Sequence, residues 1–207
     1  MARRRGAGRP KLPRCGSREP GSPRPAEQTP TLWFMTRVTA QGSTLDIATT
    51  KIATTSPTPV YRIAALSDLD GVAAIETERF GDQSYPYFAL RQLFDLHGAN
   101  WLIVEVDGIV LGHVLVALLP DRRAWLLSLA VTQESCGRGY GSTLLTEAIK
   151  LCRKQKMRSV LITVRPTNQS AYNLYRRIGF QWTGHHEERY FGAGEPRDVL
   201  EYKLSNA

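Results

Sequence analysis

Cysteine is scarce in this chain: 207 residues hold three, Cys15, Cys136 and Cys152. They are too few for a disulfide framework and too widely spaced for a zinc-binding pattern. The sequence therefore predicts free thiols, no metal, and the cytoplasm as the default compartment. No run of about eighteen apolar residues occurs, so no membrane span is expected. The first residues also lack the apolar stretch of a secretory signal. Acidic side chains are the minority charge, 19 against 27 Lys and Arg, but the imbalance is local. Residues 1–30 carry seven Arg and one Lys against Glu19 and Glu27, which is +6 of the chain's +8. That stretch is rich in Arg, Pro and Gly and poor in large apolar residues. It cannot bury enough surface to offset its chain entropy and reads as disordered. No aromatic residue interleaves with its arginines, which argues against nucleic acid as a partner. Met35 is an alternative start, in which case the basic arm has no role.

The expected division is a disordered tail and linker over residues 1–58 and one folded domain over 59–207. Within the domain the pattern is that of a packed α/β protein. Strands are predicted over 60–66, 101–106, 109–119, 124–131, 159–165, 181–191 and 199–204. Asp107-Gly108 between the second and third favours a tight type I′ hairpin. Ser67 or Asp68 can cap a helix reaching Phe80, and 88–97 forms a second short helix.

The most informative stretch is 129–142. The apolar run Leu129-Ala130-Val131 leads into Gly137-Arg138-Gly139-Tyr140-Gly141-Ser142, and an amphipathic helix follows through Leu144, Leu145, Ala148, Ile149 and Cys152. Glycines at alternate positions let the backbone turn sharply and leave successive N–H groups uncovered. Together with the positive end of the helix they make a cradle for phosphate oxygens, to which Arg138 adds a fixed charge. After the next strand come Asn168, Ala171, Tyr175 and Gly179-Phe180 on a further helix.

These two motifs in this order resemble the GNAT superfamily of acetyl-coenzyme A-dependent N-acetyltransferases, over about residues 60–204. The resemblance implies a mixed, strongly twisted sheet of six to seven strands, helices on both faces and splayed central strands. It implies that the glycine turn binds the pyrophosphate of acetyl-coenzyme A and that Asn168 lies near the thioester. Leu129, Ala130 and Val131 would bind cofactor through their main chain. Cys136 departs from the family, which usually places Gln or Arg there, and a helix N-terminus also makes it a candidate reactive thiol.

Acetyl transfer to an amine needs a neutral amine, a stabilised oxyanion and a proton for the departing thiolate. Tyr175 is the candidate general acid, and a strand N–H near Val131 the candidate oxyanion donor. The ribosomal-protein alanine N-acetyltransferases, which the chain also resembles, carry a glutamate where Thr163 stands, and threonine cannot take up a proton at neutral pH. The other titrating groups are Glu76, Glu78, His185, His186, Glu187 and Glu188. At pH 7 roughly one in seven α-amines is neutral, against about one in 2,500 lysine amines. A site without the carboxylate therefore suits an α-amine. The loop containing Glu78, Phe80 and Tyr85, and the aromatic pair at Tyr190, resemble the groove walls of protein N-terminal acetyltransferases. The leading expectation is transfer to the N-terminal α-amine of a protein or peptide, by a monomer or homodimer. A small amine (amino acid, polyamine or amino sugar) and a non-catalytic acyl-coenzyme A binding module are the alternatives.

Overall fold

The computed structural model describes residues 57–204; the basic stretch, Met35 and Cys15 lie outside them. The described residues form β1 (Val60–Ile63), α1 (Leu69–Phe80), α2 (Tyr87–His97), β2 (Trp101–Val106), β3 (Ile109–Leu118), β4 (Arg123–Val131), α3 (Tyr140–Lys154), β5 (Ser159–Val164), α4 (Gln169–Ile178), β6 (Gln181–Glu187) and β7 (Arg197–Lys203). They build one seven-stranded sheet in the order β1-β2-β3-β4-β5-β7-β6. Every neighbouring pair is antiparallel except β4 with β5, which is parallel. This is the mixed α/β sheet expected, and the β2–β3 turn has Asp107 and Gly108 both at positive φ, 51° and 78°, as a type I′ turn requires.

Each face of the sheet carries its own core. Leu144, Leu145, Ala148 and Cys152 of α3 and Tyr175 of α4 pack on one face, against Val114, Val116, Leu126, Val160 and Ile162 among others. Leu69 and Val72 of α1 and Leu90 of α2 cover the other, against Trp101, Ile103 and Leu115. The α1 stripe of Leu69, Val72, Ile75 and Glu76 is buried, and the presence of Glu76 in it returns below.

Three boundaries differ from expectation for identifiable reasons. β1 ends at Ile63 rather than 66, because Asp68 Oδ2 accepts the Ala65 N–H at 2.6 Å and folds Leu66–Asp68 into a 3-10 turn. Asp68 stands at the N-cap of α1, as one of the two expected candidates, but its carboxyl is used before the helix begins and makes no side-chain cap hydrogen bond. β6 ends at Glu187 rather than 191 because the chain turns there, the Gly192 N–H donating to the Arg189 carbonyl at 3.0 Å with Gly192 at φ 106°. α2 starts at Tyr87, behind Pro86 as its N-cap.

The feature that makes the site is the parting of β4 from β5. Their parallel pairing covers only Arg123–Leu126 with Ser159–Ile162. Leu127 is an extra residue in the β3–β4 ladder, since Leu115 pairs with Ser128 and Val116 with Leu126. A bulge of this kind bends and over-twists its strand, and β4 leaves β5 at that point. β5 meanwhile stays paired with β7 as far as Val164 and Asp198. A wedge-shaped gap opens between Leu127–Val131 and the end of β5.

Candidate active site

The main chain of β4 faces that gap in an orderly way. The Thr132 N–H donates to the Leu111 carbonyl at 2.9 Å. Antiparallel pairs alternate between hydrogen-bonded and non-bonded, so Ala130 bonds across to His113 while Leu129 and Val131 turn their N–H and C=O away from β3. These two residues present their main-chain polar groups to the gap. Ala130 is the exception, its polar groups being committed to the β3 ladder. Gly112, opposite Val131, is required by proximity: a Cβ there would lie 2.9 Å from the Ala130 carbonyl oxygen.

Beyond Val131 the chain makes a 3-10 turn at Gln133–Ser135 and enters the glycine turn. Gly137 and Gly139 adopt φ of 81° and 88°, left-handed values that other residues reach only with strain. Gly139 is the N-cap of α3. Among the described residues, the N–H groups of Gly137, Gly139, Tyr140, Gly141 and Ser142 donate to no protein acceptor. Five uncommitted donors around a helix N-terminus are an arrangement suited to an anion. The Arg138 side chain is exposed beside them. Cys136 is disulfide-bonded, which corrects the expectation of three free thiols and removes it as a reactive nucleophile. Cys152, buried on α3, has its thiol pushed up to about 12 by burial and is inert.

Tyr175 lies on the buried face of α4, 6% exposed, with its ring against Phe180 at 5.6 Å between centroids. Burial holds its phenol above the ordinary tyrosine range, so it stays protonated at neutral pH and keeps a proton to donate. Asn168 caps the same helix, its Oδ1 accepting the Ala171 N–H at 3.1 Å. The oxygen is thus used within the fold, and only the amide NH₂ remains to meet a ligand.

The residues expected to line an acceptor groove have the following contacts. Glu78 Oε1 accepts the Gln133 N–H at 2.9 Å, tying α1 to the turn after β4. Phe80 and Tyr85 are half-buried. Burial, then the nearby charges of Glu76 and Tyr190, raise the Tyr85 phenol above its usual range. Tyr190 stacks edge-on to Phe191 at 4.8 Å, and the Arg197 guanidinium lies over Phe191 at 4.7 Å. Gln83 Oε1 accepts from Arg165 at 3.0 Å and from Arg197 at 3.2 Å. Both guanidinium groups also engage Glu195. Arg165, Gln83, Glu195 and Arg197 were not anticipated, and their signal was weak, because four residues far apart in sequence meet only once the sheet is formed.

The candidate bases fare unevenly. Thr163 sits on β5 paired with Val199. His186 is bonded to Asp198 at 2.6 Å and Glu188 at 3.2 Å, and these partners raise its pKa. Asp198 also accepts from Tyr172. His185, Glu187 and Glu188 are exposed, in or just after the edge strand β6. Glu76 is buried beneath Tyr85.

A family model described as the acetyltransferase (GNAT) family matches residues 66–180. A putative ribosomal-protein bS18-alanine N-acetyltransferase of Bacillus subtilis is 29% identical over 135 residues, spanning 65% of this chain and 89% of that protein. An N-alpha-acetyltransferase of Sulfurisphaera tokodaii is 28% identical over 135 residues, spanning 58% and 80%. The fold is that of the crystal structure of Ard1 from Thermoplasma volcanium, with a TM-score of 0.67 at 23% identity, over 72% of this chain and 99% of the other.

Proposed function

We propose that this chain, which belongs to the GNAT acetyltransferase family, acetylates the N-terminal α-amine of a protein or peptide. That it is an acetyl-coenzyme A-dependent N-acetyltransferase follows from the family and from its named relatives, which sets aside a non-catalytic binding module. The acceptor is the further step. The observation that carries it is that, among the described residues, no uncommitted carboxylate stands beside the gap. Thr163 replaces one, while Glu78, Glu195 and Asp198 are each engaged by protein donors. An amine that is already partly neutral at pH 7 needs no such group.

In this reading the turn at Gly137–Ser142 binds the pyrophosphate, and the outward main chain of Leu129 and Val131 aligns the cofactor arm. The amine nitrogen attacks the thioester carbon, an N–H of that strand segment stabilises the oxyanion, and the C–S bond breaks. Tyr175 gives its proton to the departing sulfur, and the amine's surplus proton leaves through water. Arg165 and Arg197 share one carboxylate, Glu195.

The test is acetyl-coenzyme A turnover, with free thiol as readout, over peptides with free N-termini, N-terminally blocked lysine peptides and small amines. Free N-termini should exceed blocked lysine peptides at least tenfold at pH 7. A preference for lysine or for a free small amine would overturn the acceptor assignment.

A further inference from the structure

Glu76 is a carboxylate on the apolar stripe of α1, 1% exposed, and among the described residues no lysine or arginine reaches it. The other buried acid of that region, Asp68, has the Arg62 guanidinium at 2.6 Å. A buried carboxylate without a cation is costly unless donors surround it; here two donate to it and an imidazole lies alongside. Ser128 Oγ donates to Oε1, His113 Nε2 lies 3.2 Å from the same oxygen, and the Tyr85 N–H reaches Oε2 at 3.5 Å. The imidazole contact is off the line of a full hydrogen bond, so the His113 ring packs its edge against the carboxylate without bonding it.

The state of His113 is fixed from behind. Trp101 Nε1 lies 3.2 Å from His113 Nδ1, and an indole nitrogen can only donate. Nδ1 therefore carries no proton, and in the neutral ring the proton is on Nε2, the atom facing Glu76. Trp101 and His113 are diagonal neighbours across β2 and β3, and His113 and Ser128 across β3 and β4. The four side chains make a line through the core from β2 to α1. It ends at Tyr85, on the acceptor side, and at Ser128, immediately before the Leu129–Val131 segment that faces the gap.

We propose that Glu76 is the positioning residue of the acceptor groove, its carboxylate fixing the Tyr85 backbone to β4 in a geometry that Trp101 and His113 hold in place. The proposal rests on the reading that the Gly81–Tyr85 segment grips the acceptor. Glu76 moves no proton in it: the carboxylate is covered, and its oxygens are occupied by Ser128 and Tyr85, with His113 alongside.

The test is Glu76→Gln, which keeps shape but turns one acceptor oxygen into a donor facing another donor. Acceptor KM should rise about tenfold or more, kcat should change less than threefold, and the calorimetric Kd for acetyl-coenzyme A should hold. The Tyr85 amide should exchange with solvent at least tenfold faster. Unchanged KM and unchanged Tyr85 exchange would overturn the proposal. So would a kcat loss of a hundredfold at constant KM, which would make Glu76 the proton acceptor. Nitrogen NMR of the wild-type chain, free of any folding risk, should show His113 protonated on Nε2, and Trp101→Phe should release that tautomer. A wild-type ring protonated on Nδ1 would refute the proposed line. If peptide N-termini are not turned over at all, the acceptor reading fails, while the exchange and NMR results still decide the role of Glu76.

Discussion

At the residue scale, the proposed chemistry turns on two side chains. Tyr175 sits where burial keeps its phenol protonated and where its hydroxyl is not consumed by a hydrogen bond within the described residues. Tyr175→Phe leaves the contact with Phe180 and removes only the donor. Its kcat should fall by roughly 10², the usual scale for a positioned acid, with acetyl-coenzyme A affinity within twofold by calorimetry. A variant at wild-type rate would take the acid role from Tyr175. Thr163 is the complementary case, a half-buried position on β5 at the edge of the gap. Wild-type turnover should decline as pH falls below the acceptor's own amine pKa, because only the neutral amine attacks. Thr163→Glu should move that decline to lower pH or extend activity to lysine peptides, read from rate profiles on both substrates. Tyr175 was visible in the sequence because it stands in a spaced motif. Glu76 was only one of several titrating residues, although an acid at a buried helical position is a signal in itself. What the sequence could not show is that Trp101, His113 and Ser128 would converge on it.

At the scale of elements, the connection from β4 to α3 combines two kinds of glycine. Gly137 and Gly139 are needed for their left-handed backbone. Gly141 lies in the first turn of α3, and a Cβ there would make only an ordinary 3.5 Å contact with Val131. Gly141→Asp is therefore the cleaner probe of the cradle, since an acid in the first turn of a helix does not harm the helix. The folded variant should bind acetyl-coenzyme A at least tenfold more weakly, about 1.4 kcal/mol, because the carboxylate would face a pyrophosphate. Unaltered calorimetric affinity would remove the cradle from this turn. The turn, the helix after it and the β2–β3 hairpin were legible because local backbone needs dictate their residues. The ends of β1 and β6 were not, for they depend on Asp68 reaching back to Ala65 and on the turn that Gly192 closes onto Arg189, contacts that apolar periodicity does not record.

At the scale of the molecule, the sheet is open in its middle, where β4 leaves β5, so the strands on either side must hold the architecture that the gap interrupts. The β-α-α-β-β-β-α-β-α-β-β order was readable from alternating patterns. The bulge at Leu127 that parts β4 from β5 was not, since Leu126-Leu127-Ser128 reads as ordinary strand. On the α1 side, closure depends on β1, a four-residue edge strand. It is joined to the next elements by Arg62, which pairs with Asp68 at 2.6 Å and Glu105 at 2.5 Å. The Arg62 hydrogen bonds hold the Asp68 carboxyl below the usual carboxylate range despite its burial. A lowered folded pKa contributes stability that is present above the unfolded value, near 3.9, and is lost as pH falls through the folded value. Arg62 is 35% exposed, so solvent screening limits the gain to about 1 kcal/mol. Arg62→Met keeps much of the stem and removes the charge. In urea titrations at pH 7 it should be less stable than wild type by about that amount. The difference should shrink toward zero as pH drops below the folded pKa of Asp68, where wild type has lost the same contribution. A gap between the two proteins that stays constant down to pH 2 would show that Arg62 acts through packing of its stem rather than through the paired charges.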